Sequence, residues 1–417
     1  MAVIRPFKAM RPIPEVVTNV ASVPYDVVNT EEARTLAKDN PLSLLNCTRS
    51  EIHFPDSFDH YAKEVYQKAK EVLEVIKRTA PLVIDVVPNF YLYKLVMNGR
   101  AQTGIAATFS VDDYDNDVIK KHEKTRKEKE DDRTNHIVST EAQTGQVFLT
   151  YKGVPKIDQA VEKVTKEENP LYNFTAADGI QHTVWTLPAE YNKLFIDEMA
   201  QVKNFYIADG HHRAASASRA RKVKMEKNPE HSGLEEYNFF IAVLFPAEQL
   251  HILPYYRVVA DLNGYSKEEF LTRLRRTEKF SIEKTSLTEP QGAKSFCMLL
   301  DGDWYLLKPL DAVLASNSLS SSVGDHLDVS ILQNFLLQPV LGIDDPRTNK
   351  RIDFVGGIRG TGELEKLVNS GKFAVAFSLY PVTVNDLMNI SDANEVMPPK
   401  STWFEPKLRD GLLSHLI

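Results

Sequence analysis

Cysteine is nearly missing from this chain: Cys47 and Cys297 are the two found among 417 residues, and they form no CxxC pair or zinc-spaced cluster. Neither a disulfide framework nor a thiolate metal centre is supported by this, and each thiol reads as a small buried apolar residue. No apolar run approaches the length of a bilayer span, and the opening Met-Ala-Val-Ile-Arg-Pro-Phe-Lys lacks the apolar core of a signal peptide. A cytoplasmic protein that does not engage a membrane is the expectation. Basic charge is not in excess either, with 50 Lys and Arg against 57 Asp and Glu for a net −7. Nucleic-acid affinity draws mainly on basic residues against phosphates, so a nucleic-acid partner is not expected.

What remains is ordinary globular composition, 43% hydrophobic and 26% charged, in a chain long enough for two or three domains. Strand and helix signals alternate without an internal repeat, which places the fold in the α/β class, mixed α+β. Three regions are expected, at 1–150, 151–275 and 276–417. In the first, Asn29-Thr30-Glu31-Glu32 is a helix start, Leu42 to Asn46 reads as a buried strand, and residues 58–78 have helical spacing. Phe90 to Met97, turning at Asn98-Gly99 and returning through Thr103 to Val111, is a hairpin. In the last, Ser316 to Ser322 reads as an exposed loop, Leu327 to Leu341 as a helix and Lys372 to Leu379 as a strand.

The densest chemistry is Asp209-Gly210-His211-His212-Arg213, placed where the apolar strand Asn204 to Ala208 gives way to a helix opening on Ala214-Ala215-Ser216-Ala217. A helix start presents unpaired N–H groups and the positive end of the helix dipole, which suits a phosphate. Gly210 permits a tight turn and close approach of a ligand, and His211, His212 and Arg213 add donors. Asp209 can hold a metal ion, accept a proton or cap the helix. Between Asp117 and Arg133, helical spacing would align His122, Arg126, Lys129 and Arg133 in one stripe, either facing a phosphate-bearing ligand or simply solvated. The Gly-rich Gly356 to Gly362 fits no phosphate-loop pattern and reads as an ordinary strand-to-helix loop. Near the end, three prolines between 398 and 406 stiffen the chain and display Lys400, Ser401, Thr402 and Lys407.

Taken together, Val23-Pro24-Tyr25-Asp26-Val27, Asn40-Pro41-Leu42-Ser43-Leu44, His122-Glu123 with Thr125 and Asp132-Arg133, Gln146-Val147-Phe148, the Asp209–Arg213 turn and Met397-Pro398-Pro399-Lys400-Ser401-Thr402 resemble a bacterial and archaeal family. It is known as a domain of unknown function and is related to the ParB/sulfiredoxin superfamily. The resemblance implies a ParB/sulfiredoxin-like nucleotide-binding core with large N- and C-terminal additions. In that superfamily a Gly-x-His-Arg-like turn binds nucleotide phosphates, in ATP-using sulfiredoxins, CTP-binding ParB proteins and kinases acting on free serine. A sulfiredoxin-type mechanism lacks its nucleophile here, since no cysteine lies in or beside the turn. Ala214-Ala215-Ser216-Ala217 also stands where many family members look like Tyr-Glu-Thr-Ala.

The expected activity is therefore that of an ATP-dependent kinase acting on the hydroxyl of a small metabolite, with free L-serine, giving O-phosphoserine, as the acceptor. ATP and Mg2+ are the expected cofactors, and a homo-oligomer is an open expectation. Phosphoryl transfer needs phosphate clamps, a divalent metal and a carboxylate for the hydroxyl. Catalysis is assigned to Asp209, Glu123 and His211, and metal binding to Asp209. Nucleotide binding is assigned to Gly210, His211, His212, Arg213, His122, Arg126 and Lys400. The alternative is a nucleotide-binding regulatory or partition-like module, using ATP or CTP without metabolite chemistry.

Overall fold

The computed structural model describes residues 2–79, 82–315 and 322–417, so the loop expected at Ser316 to Ser322 lies, apart from Ser322, outside the described residues. The fold is mixed α/β. It divides into two compact units, Met1–Leu250 with Pro406–Ile417, and His251–Glu405. No helix among the described residues is long and apolar enough to cross a membrane.

The first unit is built on a nine-stranded sheet. In chain order its strands are β1 (Ile4–Arg5), β2 (Tyr91–Met97), β3 (Arg100–Ser110), β4 (Ile119–Lys120), β5 (Val147–Tyr151), β6 (Tyr172–Thr175), β7 (Gln181–Thr186), β8 (Phe205–Asp209) and β9 (Phe239–Pro246). Their spatial order is β4-β8-β5-β9-β3-β2-β7-β6, with β1 on β3. An uninterrupted run, Phe-Phe-Ile-Ala-Val-Leu-Phe-Pro, makes β9 a strand buried on both faces, between parallel β5 and antiparallel β3. The β2–β3 hairpin forms as its alternation predicts, because Asn98 and Gly99 both take positive φ, as a two-residue hairpin turn of this hand requires. Helices beside this sheet or its edge include α1 (Lys63–Thr79), α2 (Lys127–Thr140), α3 (Pro155–Glu167) and α4 (His211–Lys227). The main core packs Phe109, Leu149, Phe205, Ile207 and Phe240 with Ala214 and Ala217 of α4.

The second unit holds an all-antiparallel sheet of β10 (Tyr255–Val259), β11 (Phe280–Lys284), β12 (Phe296–Leu300), β13 (Asp303–Pro309), β14 (Ile352–Gly356) and β15 (Val375–Leu379), in the order β11-β13-β12-β15-β10-β14. After β14 the glycines serve packing, since a Cβ at Gly356 would meet the Trp403 ring at 2.9 Å and one at Gly357 the Pro254 carbonyl at 2.7 Å. The strand-to-helix loop expected there is what forms, leading into a helix at Thr361–Asn369.

Several expectations are corrected. The boundary expected at 150 falls inside one sheet, because β9 hydrogen-bonds to both β5 and β3. That at 275 likewise separates strands of a single sheet, β10 and β14. Leu42 to Asn46 is not a strand: Leu45–Thr48 is a helical turn buried at every residue, and a short apolar run does not distinguish the two. Leu327 to Leu341 is helical only in pieces, Asp328–Leu332 followed by a π-turn at Gln333–Leu337. The stripe of His122, Arg126, Lys129 and Arg133 does not exist. Buried Ile119 is drawn into the sheet edge as β4, pairing with Phe205, and α2 starts only at Lys127. Lys129 reaches the Tyr61 hydroxyl at 3.2 Å, and Arg133 donates to the Thr48 carbonyl at 3.1 Å.

Candidate functional site

Strand β8 ends on Asp209, and its register against β5 slips between Ile207 and Asp209, a bulge of the sort that re-aims a side chain at a strand end. Gly210 follows at φ +91 as the N-cap of α4. An L side chain would be strained there, and its Cβ would come 3.2 Å from Arg213 Cζ. Buried Ala214, Ala215 and Ala217 lack bulk, so α4 can lie close to α2, where Ser216 Oγ donates to the Glu130 carbonyl at 3.2 Å.

The segment 122–126 is bound to this helix start by backbone donors. The His122 N–H donates to His211 Nε2 at 3.4 Å and the Arg126 N–H to His212 Nε2 at 3.1 Å. Accepting ring nitrogens require neutral imidazoles that carry their proton on Nδ1. The electrostatics agree. Burial, with His122 alongside, pushes His211 well below the usual histidine range, and burial lowers His122 to about 4 and His212 in the same direction. The His122 and His211 rings meet edge to face with centroids 4.4 Å apart. Exposed Glu123 places Oε2 3.7 Å from His211 Nδ1, the nitrogen left with the proton.

Arg213 is a tie more than a free hand. Its Nη1 donates to the Gln146 carbonyl, its Nη2 donates to Asp26 Oδ2 at 3.2 Å, and that same Nη2 lies 3.6 Å from Asp209 Oδ2. Only Nε is buried without a partner among the described residues, as is Nδ1 of His122. Asp209 also faces Lys407 Nζ at 3.2 Å. Burial opposes ionisation of Asp209, yet Lys407 and Arg213 outweigh it and hold the carboxyl well below the usual range. Such a carboxylate is a weak base, which moves the proton-accepting role toward Glu123.

Behind the turn, a cavity of about 30 Å³ lies among Tyr25, Arg133, His136, Arg213 and Asp410. That is room for about one water. Asp410 Oδ1 has no partner there among the described residues. Burial pushes the Asp410 carboxyl up to about 7, with Arg213 opposing. A carboxyl with a raised folded-state value contributes stability below its unfolded value of 3.8 and loses it as pH climbs to about 7. Asp410→Asn is therefore expected to flatten the fall in unfolding free energy between pH 4 and 7, measured by urea titration at several pH values. Equal slopes in both proteins would show that Asp410 does not titrate this way.

The structure thus brings together Asp209, Gly210, His211, His212 and Arg213 with His122, Glu123 and Arg126. Lys400 belongs to the second unit, where it takes φ +53 and sets its ammonium 5.3 Å from the Tyr255 ring centre. Asp26, Gln146, Lys407 and Asp410 complete the site and were not assigned to it from sequence. Asp26 and Gln146 stood in segments that carry the family resemblance, whereas Asp410 had no sequence signal beyond the turn residue Gly411, at φ +87. The donor set does not fit a resident Mg2+. Among the described residues no group of three or more His, Cys, Asp or Glu side chains is arranged to hold a metal, and Asp209 is already paired with cations.

A family model described as "Protein of unknown function (DUF1015)" matches residues 4–330. No curated protein matches the chain. Among solved structures it is similar to a conserved hypothetical protein from Pyrococcus furiosus, at 13% identity and TM-score 0.34 over 75% of this chain and 95% of that one. It is also similar to free serine kinase in complex with AMP, at 12% identity and TM-score 0.34 over 74% and 91% of the two chains. A third is C-terminally truncated SbnI from Staphylococcus aureus, at 11% identity and TM-score 0.37 over 75% and 87%.

Proposed function

The chain belongs to the family described as protein of unknown function (DUF1015), and we propose that in it the start of α4 binds nucleotide phosphates for an ATP-dependent kinase. One observation carries this reading: the Arg213 Nε–H is buried without a partner among the described residues beside a helix start. Buried polar atoms are almost always paired, so an orphaned cationic donor at an anion-attracting helix end points to an anionic ligand that completes it. Exposed Glu123 and Arg126, with half-buried Asp209 and His212, form the open side.

In the proposed reaction the acceptor hydroxyl attacks the γ-phosphorus of ATP. A new O–P bond forms, the bond to the β-phosphate oxygen breaks, ADP leaves, and the hydroxyl proton passes to Glu123. His211 orients Glu123 through Nδ1–H, and Arg213 holds the turn in shape. The acceptor, free L-serine, rests on the family resemblance, as does the wider link to the ParB/sulfiredoxin superfamily. Nucleotide binding without metabolite chemistry is the second reading, favoured by the capture of Asp209 by Lys407 and Arg213.

Titrating the purified chain with ATP, ADP and CTP while following thermal unfolding is the direct test. A nucleotide at a hundred times its Kd is expected to add about 2.7 kcal/mol of stability. No shift with any of the three at millimolar concentration removes both readings. A shift without ATP-to-ADP turnover on L-serine or pooled amino acids leaves the second alone.

A further inference from the structure

The sheet of the first unit carries another recess, of about 370 Å³, within the range of small-molecule sites. Lys94 and Thr103 on the β2–β3 hairpin, Tyr151 at the end of β5, Asp158 and Val161 on α3, and Gln249 line it. It is not part of the turn at Asp209. Phe148 is the residue of β5 that pairs with Asp209, and Tyr151 lies three residues farther along, about 10 Å away.

Tyr151 is fully buried, yet its hydroxyl has no hydrogen-bond partner among the described residues. Two carboxylates stand beside it. A Cβ at Gly153 would meet Glu248 Oε2 at 2.9 Å and Asp158 Oδ2 at 3.4 Å, so the two acids converge over that glycine. The Gly153 N–H donates to Glu248 at 3.2 Å, whereas Asp158 shows no ion pair among the described residues. Burial and then Glu248 raise the Asp158 carboxyl, and burial followed by these same two carboxylates raises the Tyr151 phenol. All three oxygens therefore gain from a nearby positive donor. The rest of the wall includes Ile105, Val161 and Pro246.

We propose that this recess binds a small organic molecule bearing a primary ammonium, which sits between the Asp158 carboxylate and the Tyr151 hydroxyl with its alkyl part against Ile105 and Val161. An ammonium presents three hydrogen-bond donors on one centre and matches acceptors that converge from different elements. A bare metal ion matches less well. It would leave the apolar wall to water, and no three-residue donor group for a metal occurs among the described residues.

Saturation-transfer NMR and titration of the full chain with n-butylammonium chloride, at low salt and pH 7.5, test the proposal, with 1-butanol as the neutral counterpart. Saturable binding of butylammonium is expected, with none of butanol at the same concentrations. Asp158→Asn is expected to weaken binding at least tenfold and Tyr151→Phe several-fold. Thr165→Trp, which narrows the recess from a half-exposed position, is expected to abolish it while leaving the melting temperature near that of the parent. Equal binding of butanol, equal affinity in Asp158→Asn, persistence in Thr165→Trp, or no saturable binding by the unaltered chain each overturns the proposal. None of these outcomes depends on whether ATP binds at α4.

Discussion

Glu123→Gln is expected to slow ATP turnover on the hydroxyl acceptor by about a hundredfold while nucleotide affinity stays near that of the parent protein. The amide keeps the size of the side chain and its place 3.7 Å from His211 Nδ1, but it cannot take the proton. Because Glu123 is exposed and stands on a segment held by backbone donors, the substitution should leave the melting temperature unchanged. Asp209→Asn is the control. Asp209 is held ionised by Lys407 and Arg213, so its loss should act on the turn's stability first. Full turnover in Glu123→Gln together with loss in Asp209→Asn would transfer the base to Asp209 and sink the assignment of Glu123.

Arg213→Met is expected to destabilise the first unit by about 1–3 kcal/mol, because the guanidinium is buried and its loss leaves the Gln146 carbonyl unpaired, while the more exposed Asp26 and Asp209 regain water. Asp26 loses its cation outright, Asp209 keeps only Lys407, and the Gln146 carbonyl loses its donor. Arg213→Lys should recover part of the charge balance but not both contacts, since one ammonium cannot reach two acceptors set for a planar fork. Thermal melts of the three proteins order them as parent, Lys, Met. A Met variant that melts with the parent would mean that the tie seen in the structure contributes nothing. If Arg213 Nε also reaches phosphate, the Lys variant loses nucleotide affinity at temperatures where it is fully folded.

Local rules made much of the site legible. An apolar strand, a glycine and an alanine-rich run placed the turn at a strand-to-helix junction, and Asn98-Gly99 fixed the hairpin. Charge spacing misled, because Asp117 to Arg133 has helical periodicity throughout while only the part from Lys127 onward is helix. The burial of Ile119 in the sheet outweighed that periodicity, and burial against a distant strand is not written in a local window. For the same reason the site's partners were hidden. Asp26, Gln146, Lys407 and Asp410 reach Arg213 and Asp209 across long stretches of chain, and only their packing reveals that one guanidinium ties Asp26 and Gln146 to the turn.

The return of residues 406–417 to the first unit sets an order on synthesis. Asp410 exchanges backbone hydrogen bonds with Ser22, and His415 pairs with Gln143, so residues translated after 405 close a unit whose other strands are all made by residue 250. Until then Asp209 has no Lys407, and the cavity behind Arg213 stands open on one side. Contacts this far apart in sequence form late and slowly. The nascent chain therefore holds the Asp209–Arg213 turn without Lys407 throughout translation of residues 251–405, and the turn gains its last contacts only when residues 406–417 dock.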